Sequence, residues 1–355
     1  MAIRKYLVLL FFIAIMPAAK AQQHYQQVDS TSNSYYLAGN WNQLIVEGQQ
    51  AIASGTDFPM LRQRMGYAYF ITGNYSAAIG QFAKVLKYDE YNQTARYYTY
   101  LCNRYLLRNA AAYYHAPYLD TLSDQKNLTP FGVIEIGAEE GLKFPEASRR
   151  GEGLYSRIFL SNRLGWRFSL DESVVHYRQS ANLTELQSRI FGGRAGKTLT
   201  NQLEYFAKLN YTLSKQLVVF GGYHYLNSRY RNETYHNHVF VAGVKYEADH
   251  FILQADGSYN NITNTKIGQY NTQFSWYPLG NLNLYTVTRG SVLQQNNAGK
   301  SIFSQLIGGR VLKNTWLEGA VTLGTLNNYL EADGLYVYNA IDITCLLYTS
   351  DAADE

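Results

Sequence analysis

Two hydrophobic periodicities divide the chain. From Asn33 to Asn109 apolar residues recur at helical spacing, and from Phe131 to Thr344 they alternate with a period of two. In the second region Ile158, Leu160, Leu164, Trp166, Phe168 and Leu170 occupy even positions. Arg157, Ser161, Arg163, Gly165, Arg167 and Ser169 stand between them. Leu203, Tyr205, Ala207, Leu209, Tyr211 and Leu213 alternate in the same way with Gln202, Glu204, Lys208 and Asn210. Tyr270, Thr272, Phe274 and Trp276 alternate with Gln269, Asn271, Gln273 and Ser275. About 12 such segments follow one another, most near ten residues, the length of a membrane-crossing β-strand.

A soluble sandwich and a membrane barrel can both carry this pattern. The sandwich turns its apolar face inward, whereas the barrel turns it to lipid around a polar, Gly-rich lumen. The expected connections run Pro145–Gly153, Asp171–Ser173, Leu183–Leu199, Ser214–Gln216, Ser228–Asn237, Ala248–His250, Asn261–Lys266, Pro278–Asn281, Val292–Lys300, Lys313–Asn314 and Leu326–Gly334. Longer ones alternate with tight turns, which favours a barrel with long outer loops and short periplasmic turns. Both barrel ends then lie on the periplasmic side, and Leu335–Thr344 is the strand expected to close the wall. Trp166, Tyr211, Trp276, Tyr277 and Trp316, near strand ends, fit aromatic girdles at the membrane interface.

In the helical region Gly39-Asn40-Trp41 returns as Gly73-Asn74-Tyr75, 34 residues later. With Gly66 and Tyr69 before the second turn and Ala78 and Phe82 after it, this stretch resembles a tetratricopeptide repeat. Gly66 and Ala78 let the helices approach, while Tyr69, Tyr75 and Phe82 fill the space between them. Glu90 stands where the family usually has Pro, the first copy shows no recognisable first helix, and the third unit, Ala95 to Arg108, has no turn glycine. The resemblance implies a groove that docks a periplasmic protein segment; a helical spacer without a partner is the other reading.

Composition sharpens this picture. Only 16% of residues are charged, against 33 Tyr, so the chain is not disordered, and a mean hydropathy of −0.28 with a long apolar run only at the N-terminus excludes a helical membrane bundle. Arg4 and Lys5, the apolar run Tyr6–Met16 and Ala19-Lys20-Ala21 form an expected signal peptide over residues 1–21. The segment Cys345 to Glu355 breaks the alternation and resembles a sequencing-library adapter read in frame. We therefore expect residues 345–355 to be a non-native tail and the barrel, 131–344, to be cut short. Cys102 is then the single genuine cysteine, so no internal disulfide is expected despite export. The formal net charge of +4 is too mild to argue for nucleic acid.

The sequence reading is an α+β chain. It comprises a tetratricopeptide-like module over 33–110, a linker over 111–130 and an antiparallel transmembrane barrel of about 12 strands. The stretches Trp276-Tyr277-Pro278-Leu279-Gly280-Asn281-Leu282-Asn283-Leu284-Tyr285 and Gly334-Leu335-Tyr336-Val337-Tyr338-Asn339 resemble the YaiO-like outer-membrane barrels, which implies location more than activity. Polysaccharide-export porins share only the domain order.

Candidate chemistry is sparse. Gly192 to Thr198 imitates a phosphate loop but has Phe191 where the motif needs Gly. His224, His236 and His238 allow a metal site but lack supporting Cys or paired carboxylates. His176, His224 and Ser228 are the residues a rim hydrolase would draw on, without a local signature joining them. Glu135, Glu139, Arg157, Arg163, Arg167 and Lys208 are the expected lumenal charges, with Glu135 opposite Arg163. They suit either an anion- or sugar-selective lumen or a packed, salt-bridged interior without a pore. No cofactor or metal is expected, the lipid of the outer membrane is the expected surrounding, and transport, export or envelope assembly is the expected role. An outer-membrane enzyme on lipid or glycan, or a structural anchor, is the alternative.

Overall fold

The computed structural model describes residues 24–119, 129–144, 150–182, 197–230, 233–262, 265–295, 298–313, 315–339 and 345–353. The expected signal peptide and most of the phosphate-loop imitation lie outside them. The chain divides into two compact units, Met1–Lys126 with Leu279–Asn281, and Asn127–Pro278 with Leu282–Glu355.

The first unit contains helices α1 (24–37), α2 (Trp41–Ala53), α3 (Pro59–Ile71), α4 (Tyr75–Tyr88), α5 (Gln93–Tyr105) and α6 (Asn109–His115). They form three helix pairs. The first copy does have a first helix, α1, whose Gln-, Ser- and Asn-rich sequence offers few apolar positions to announce it. The turns fall at Gly39, Gly73 and Leu107, with left-handed φ of +69°, +78° and +56°. Each turn carries the same long hydrogen bond: Asn40 N–H to Tyr35 C=O, Asn74 to Tyr69 and Arg108 to Asn103, at 2.8–2.9 Å. That bond marks a Schellman stop. The repeat thus persists through a third turn with Leu107 in the glycine place. Asn74 and Asn92 cap α4 and α5 by accepting from Ala77 and Ala95 N–H.

Ala78 and Phe82 are fully buried with Val85, Ala95 and Cys102. A methyl on Gly66 would stand 2.8 Å from the Phe82 ring, so this position needs glycine. Tyr69 accepts a hydrogen bond from Gln49, and Tyr75 stacks on Tyr105 with centroids 4.9 Å apart. Burial pushes the Cys102 thiol up, leaving it a packed hydrophobe. The expected linker begins later than residue 111, since α6 and a short 3-10 turn occupy Asn109 to Tyr118.

The second unit is an antiparallel sheet. Its strands are β1 (Phe131–Lys143), β2 (Arg150–Leu164), β3 (Phe168–Asn182), β4 (Lys197–Thr212), β5 (Leu217–Tyr230) and β6 (Glu233–Glu247). Then come β7 (Phe251–Ile262), β8 (Thr265–Trp276), β9 (Leu284–Gln295), β10 (Ala298–Leu312) and β11 (Thr315–Leu323). A separate hairpin, β12 (Asn327–Glu331) and β13 (Tyr336–Asn339), follows before β14 (Cys345–Ala353). Each strand pairs with its sequence neighbour, and β14 pairs with β11. Among the described residues no pairing joins β1 to β14.

Three expectations change here. The stretch expected as the closing strand, Leu335–Thr344, contributes β13 to the separate hairpin instead. The twelfth position is taken by Cys345–Ala353, because main-chain hydrogen bonding along an open edge is indifferent to side chains. The second connection is a turn at 165–167, not Asp171–Ser173, with Gly165 at φ +97°. Paired positions across that turn share parity, as Arg163 with Ser169 does, so the alternation runs through it unbroken.

The alternation of long and short connections also fails. β5 and β6 leave only two residues between Tyr230 and Glu233, β7 and β8 two between Ile262 and Thr265, and β9 and β10 two between Gln295 and Ala298. Polar strand ends stay hydrogen-bonded beyond the apolar band, which is why they read as loops. The turn between β8 and β9 spans 277–283, on the end expected to carry tight turns.

Candidate functional site

Exposure inverts the order of a soluble protein. On β2 the apolar Ile158 is 67% exposed while Arg163 is buried. On β4 Leu203 and Leu209 are exposed while Glu204 and Phe206 are buried. On β8 Tyr270 is 61% exposed while Gln269 and Asn271 are buried. One face of the sheet is an apolar outer surface, and the other encloses polar groups.

That inner face wraps the β12–β13 hairpin. Wall contacts come from many strands. Glu139 of β1 bonds the Tyr336 hydroxyl, Tyr155 of β2 lies against the Tyr336 ring, and Ile302 of β10 packs on Leu326 and Tyr329. Leu330 sits among Leu226, Val239, Ile262, Ile267 and Leu293, inward residues at the hairpin-side ends of β5 to β9. The Gln269 side chain acts as a surrogate peptide for Leu330: its Oε1 accepts from the backbone N–H at 2.9 Å, and its Nε2 donates to the C=O at 2.7 Å. Both backbone groups are thereby satisfied in a buried setting.

The tip of the hairpin, Ala332–Gly334, reaches the charged part of the wall. The Asp333 carboxylate accepts from Gln254 Nε2 at 2.7 Å and from Lys208 Nζ at 3.2 Å, with Arg289 Nη1 4.0 Å away. Lys208 also lies 3.6 Å from Asp171, and Arg289 3.2 Å from the fully buried Asp256 carboxylate. Beside them His224 faces acceptors on both ring nitrogens, Glu204 Oε2 at 2.9 Å and the Gly334 carbonyl at 2.8 Å. The hairpin backbone is strained: Asn328, Ala332 and Asp333 are non-glycine residues at φ +62°, +48° and +58°. Each such conformation costs about 1–2 kcal/mol and is held by the surrounding contacts.

The expected lumenal charges divide. Lys208 belongs to the Asp333 cluster. Glu139 pairs with Arg157 at 3.3 Å, and Arg157 also covers the Phe159 ring. Glu135 stands opposite Ser161 rather than Arg163, because the β1–β2 register lies two residues off the expected one and shifts at a bulge between Val133 and Glu135. Arg163 is buried, with its guanidinium 5.6 Å from the Trp166 ring. Arg167 is exposed in the 165–167 turn and not on the wall.

The expected girdle divides too. Tyr211 and Trp276 face outward, joined by Phe168, Tyr246 and Phe251; Phe168 meets the Tyr211 ring at 4.7 Å. Trp166 and Tyr277 sit in turns at that same end. Trp316 has the inward parity of the buried Ala320 and Thr322, and its indole N–H bonds the Leu282 carbonyl.

Sequence reasoning missed Asp333, Arg289, Asp256 and Gln254, and the inward apolar clamp on Leu330. The clamp had a signal: Leu226, Val239, Ile262, Ile267 and Leu293 break the polar parity of the inner face. The charged partners had none, since nothing local tells a tip carboxylate which wall it meets.

The histidines do not converge. His236 and His238 share hydrogen bonds with the Tyr225 and Tyr223 hydroxyls on the outer face, while His224 is inside. Among the described residues no group of three ligating side chains could hold a metal. Ser228 bonds Gln202, not a histidine. On the outer face His176 Nε2 meets Asn201 Oδ1 at 2.8 Å, and Ser156, the cross-strand partner of His176, donates to Glu140 at 2.7 Å.

No protein-family model and no curated protein matches the chain. Among solved structures, the CymD monoaromatic hydrocarbon channel aligns with a TM-score of 0.38 at 12% identity, over 56% of this chain and 75% of that one. Outer membrane phospholipase A from Escherichia coli aligns with a TM-score of 0.37 at 12% identity, over 62% of this chain and 91% of that one. Both neighbours are outer-membrane β-barrels.

Proposed function

We propose that this protein is an outer-membrane β-barrel of the transport or export class whose lumen is closed by its own hairpin. The observation that carries the reading is the hairpin itself, bound on the polar inner face by side chains from β1, β4, β5, β7 and β8. A purely structural anchor needs no strained insert held by ionic contacts. The helical repeat, tetratricopeptide-like in its 34-residue turn spacing, serves on this reading as a periplasmic docking module. The order of units accords with the YaiO-like resemblance. The test is planar-bilayer recording of the full-length protein. The wild type is expected to be mostly closed, and a variant with residues 327–339 replaced by a short Gly-Ser linker is expected to conduct steadily. A silent replacement variant that still folds sinks the transport reading.

A second reading draws on the outward row Glu140, Ser156, His176 and Asn201. If Asn201 accepts from His176 Nε2–H, Nδ1 carries the lone pair and faces the role of base toward Ser156. In this state Ser156 donates its hydrogen bond to Glu140 instead. Release of fatty acid from phospholipid micelles, abolished in both Ser156→Ala and His176→Ala, would favour a lipid hydrolase; equal rates in the variants would discard it.

A further inference from the structure

Asp333 is the feature whose chemistry reaches furthest. Its carboxylate is met by one side chain from each of three strands: Lys208 of β4, Gln254 of β7 and Arg289 of β9. Lys245 of β6 adds its field from the same inner face. An amide donor and an ammonium, with a guanidinium beyond, surround a carboxylate as a binding site would. The wall acids beside them are already engaged, Asp171 with Lys208 and Asp256 with Arg289. The bases Lys208, Lys245 and Arg289 face Asp171, Asp256 and Asp333, with Glu204 held by His224 beside them, so withdrawal of Asp333 removes one negative charge from around these bases.

We propose that the Lys208–Gln254–Arg289 cradle is a binding site for the carboxylate of a transported solute, and that Asp333 is a tethered stand-in occupying it while the barrel is closed. This rests on the plugged-barrel reading and names its solute class. The left-handed backbone at Ala332 and Asp333 fits a tip that is held by the cradle rather than by its own preference. A solute carboxylate and the Asp333 carboxylate compete for the same donors, so the solute that passes also helps to displace the plug. The carboxylate comes from a small organic acid or from a uronic sugar, and the two are separated by the probe.

The experiment uses full-length D333N in planar bilayers, beside the wild type. An open probability about tenfold higher is expected, the change that about 1.4 kcal/mol of lost plug contact produces. Open-state current is expected to be anion-selective and blocked by millimolar succinate or trigalacturonate, whichever is the solute class, and the block is expected to vanish in D333N/K208Q. A D333N channel as silent as the wild type, where the 327–339 replacement conducts, would overturn the cradle, and silence of both would overturn the plug reading beneath it. Channels that open but prefer cations, or that neither probe blocks, would overturn the cradle while leaving the plug intact. Should D333N not fold, V337C in the otherwise unchanged chain serves instead. Its maleimide labelling is expected to accelerate several-fold with succinate or trigalacturonate and not with chloride of equal ionic strength. An unchanged rate with both probes overturns the proposal.

Discussion

At the scale of single residues, the helical repeat sets backbone geometry against side-chain identity. Leu107 takes the left-handed turn that Gly39 and Gly73 take in the other two helix pairs, and it is exposed, so no packing repays the conformation. A left-handed L-residue costs about 1–2 kcal/mol, and glycine loses about 0.5–1 kcal/mol more chain entropy on folding. Leu107→Gly is therefore expected to stabilise the helical repeat by about 0.5–1 kcal/mol, read from the shift in its urea midpoint. A destabilised variant would mean that Leu107 makes contacts outweighing its strain. The glycine turns were legible in the sequence because positive φ selects for glycine. The third turn was not, because its leucine hides a backbone kept by the flanking helices.

At the scale of elements, side-chain parity explains most of what was readable. Successive strand residues point to opposite faces, so a run of alternating types announces both the strand and its two environments. Ile158 lies in the middle of the outward apolar row of β2, and its pairing across to Ala138 and Val174 keeps it in lipid on the membrane reading. Ile158→Arg is expected to cost about 2–4 kcal/mol of barrel stability, whereas arginine at a strand end costs about 0–1 kcal/mol. Urea unfolding in lipid vesicles measures the difference, and an equal cost at Ile158 and at Leu199 would contradict a membrane band centred on Ile158. Turns were less legible than strands. Equal parity across 165–167 concealed a turn, and hydrogen-bonded polar strand ends imitated loops at 228–237.

At the scale of the whole sheet unit, the hairpin links the strands to one another through its contacts. Gln269 supports both backbone groups of Leu330, so Gln269→Ala leaves a buried N–H and a buried C=O without their partner. Each such group costs about 1–3 kcal/mol, borne on the plugged-barrel reading by the closed state alone. The variant is expected to raise open probability at least about tenfold in bilayer recordings, since 1.4 kcal/mol is a factor of ten. An unchanged open probability would show that the hairpin is held elsewhere, by the Leu330 clamp or the Asp333 contacts.

Strand content, the two-faced alternation of the strands and the α3–α4 helix pair were determined by the sequence alone, because each depends on neighbours one to four positions away. Which face turns outward was not, since a sandwich and a barrel share the alternation. The destination of Tyr336–Asn339 was a tertiary decision. Its alternating tyrosines suit a wall strand and an inner hairpin equally well, and only contacts with residues such as Glu139, nearly two hundred positions away, distinguish the two. The Asp333 cluster is of the same kind. Lys208 could be read as lumenal from its parity, but its partner could not, since a carboxylate's site is set by which strands curl around it.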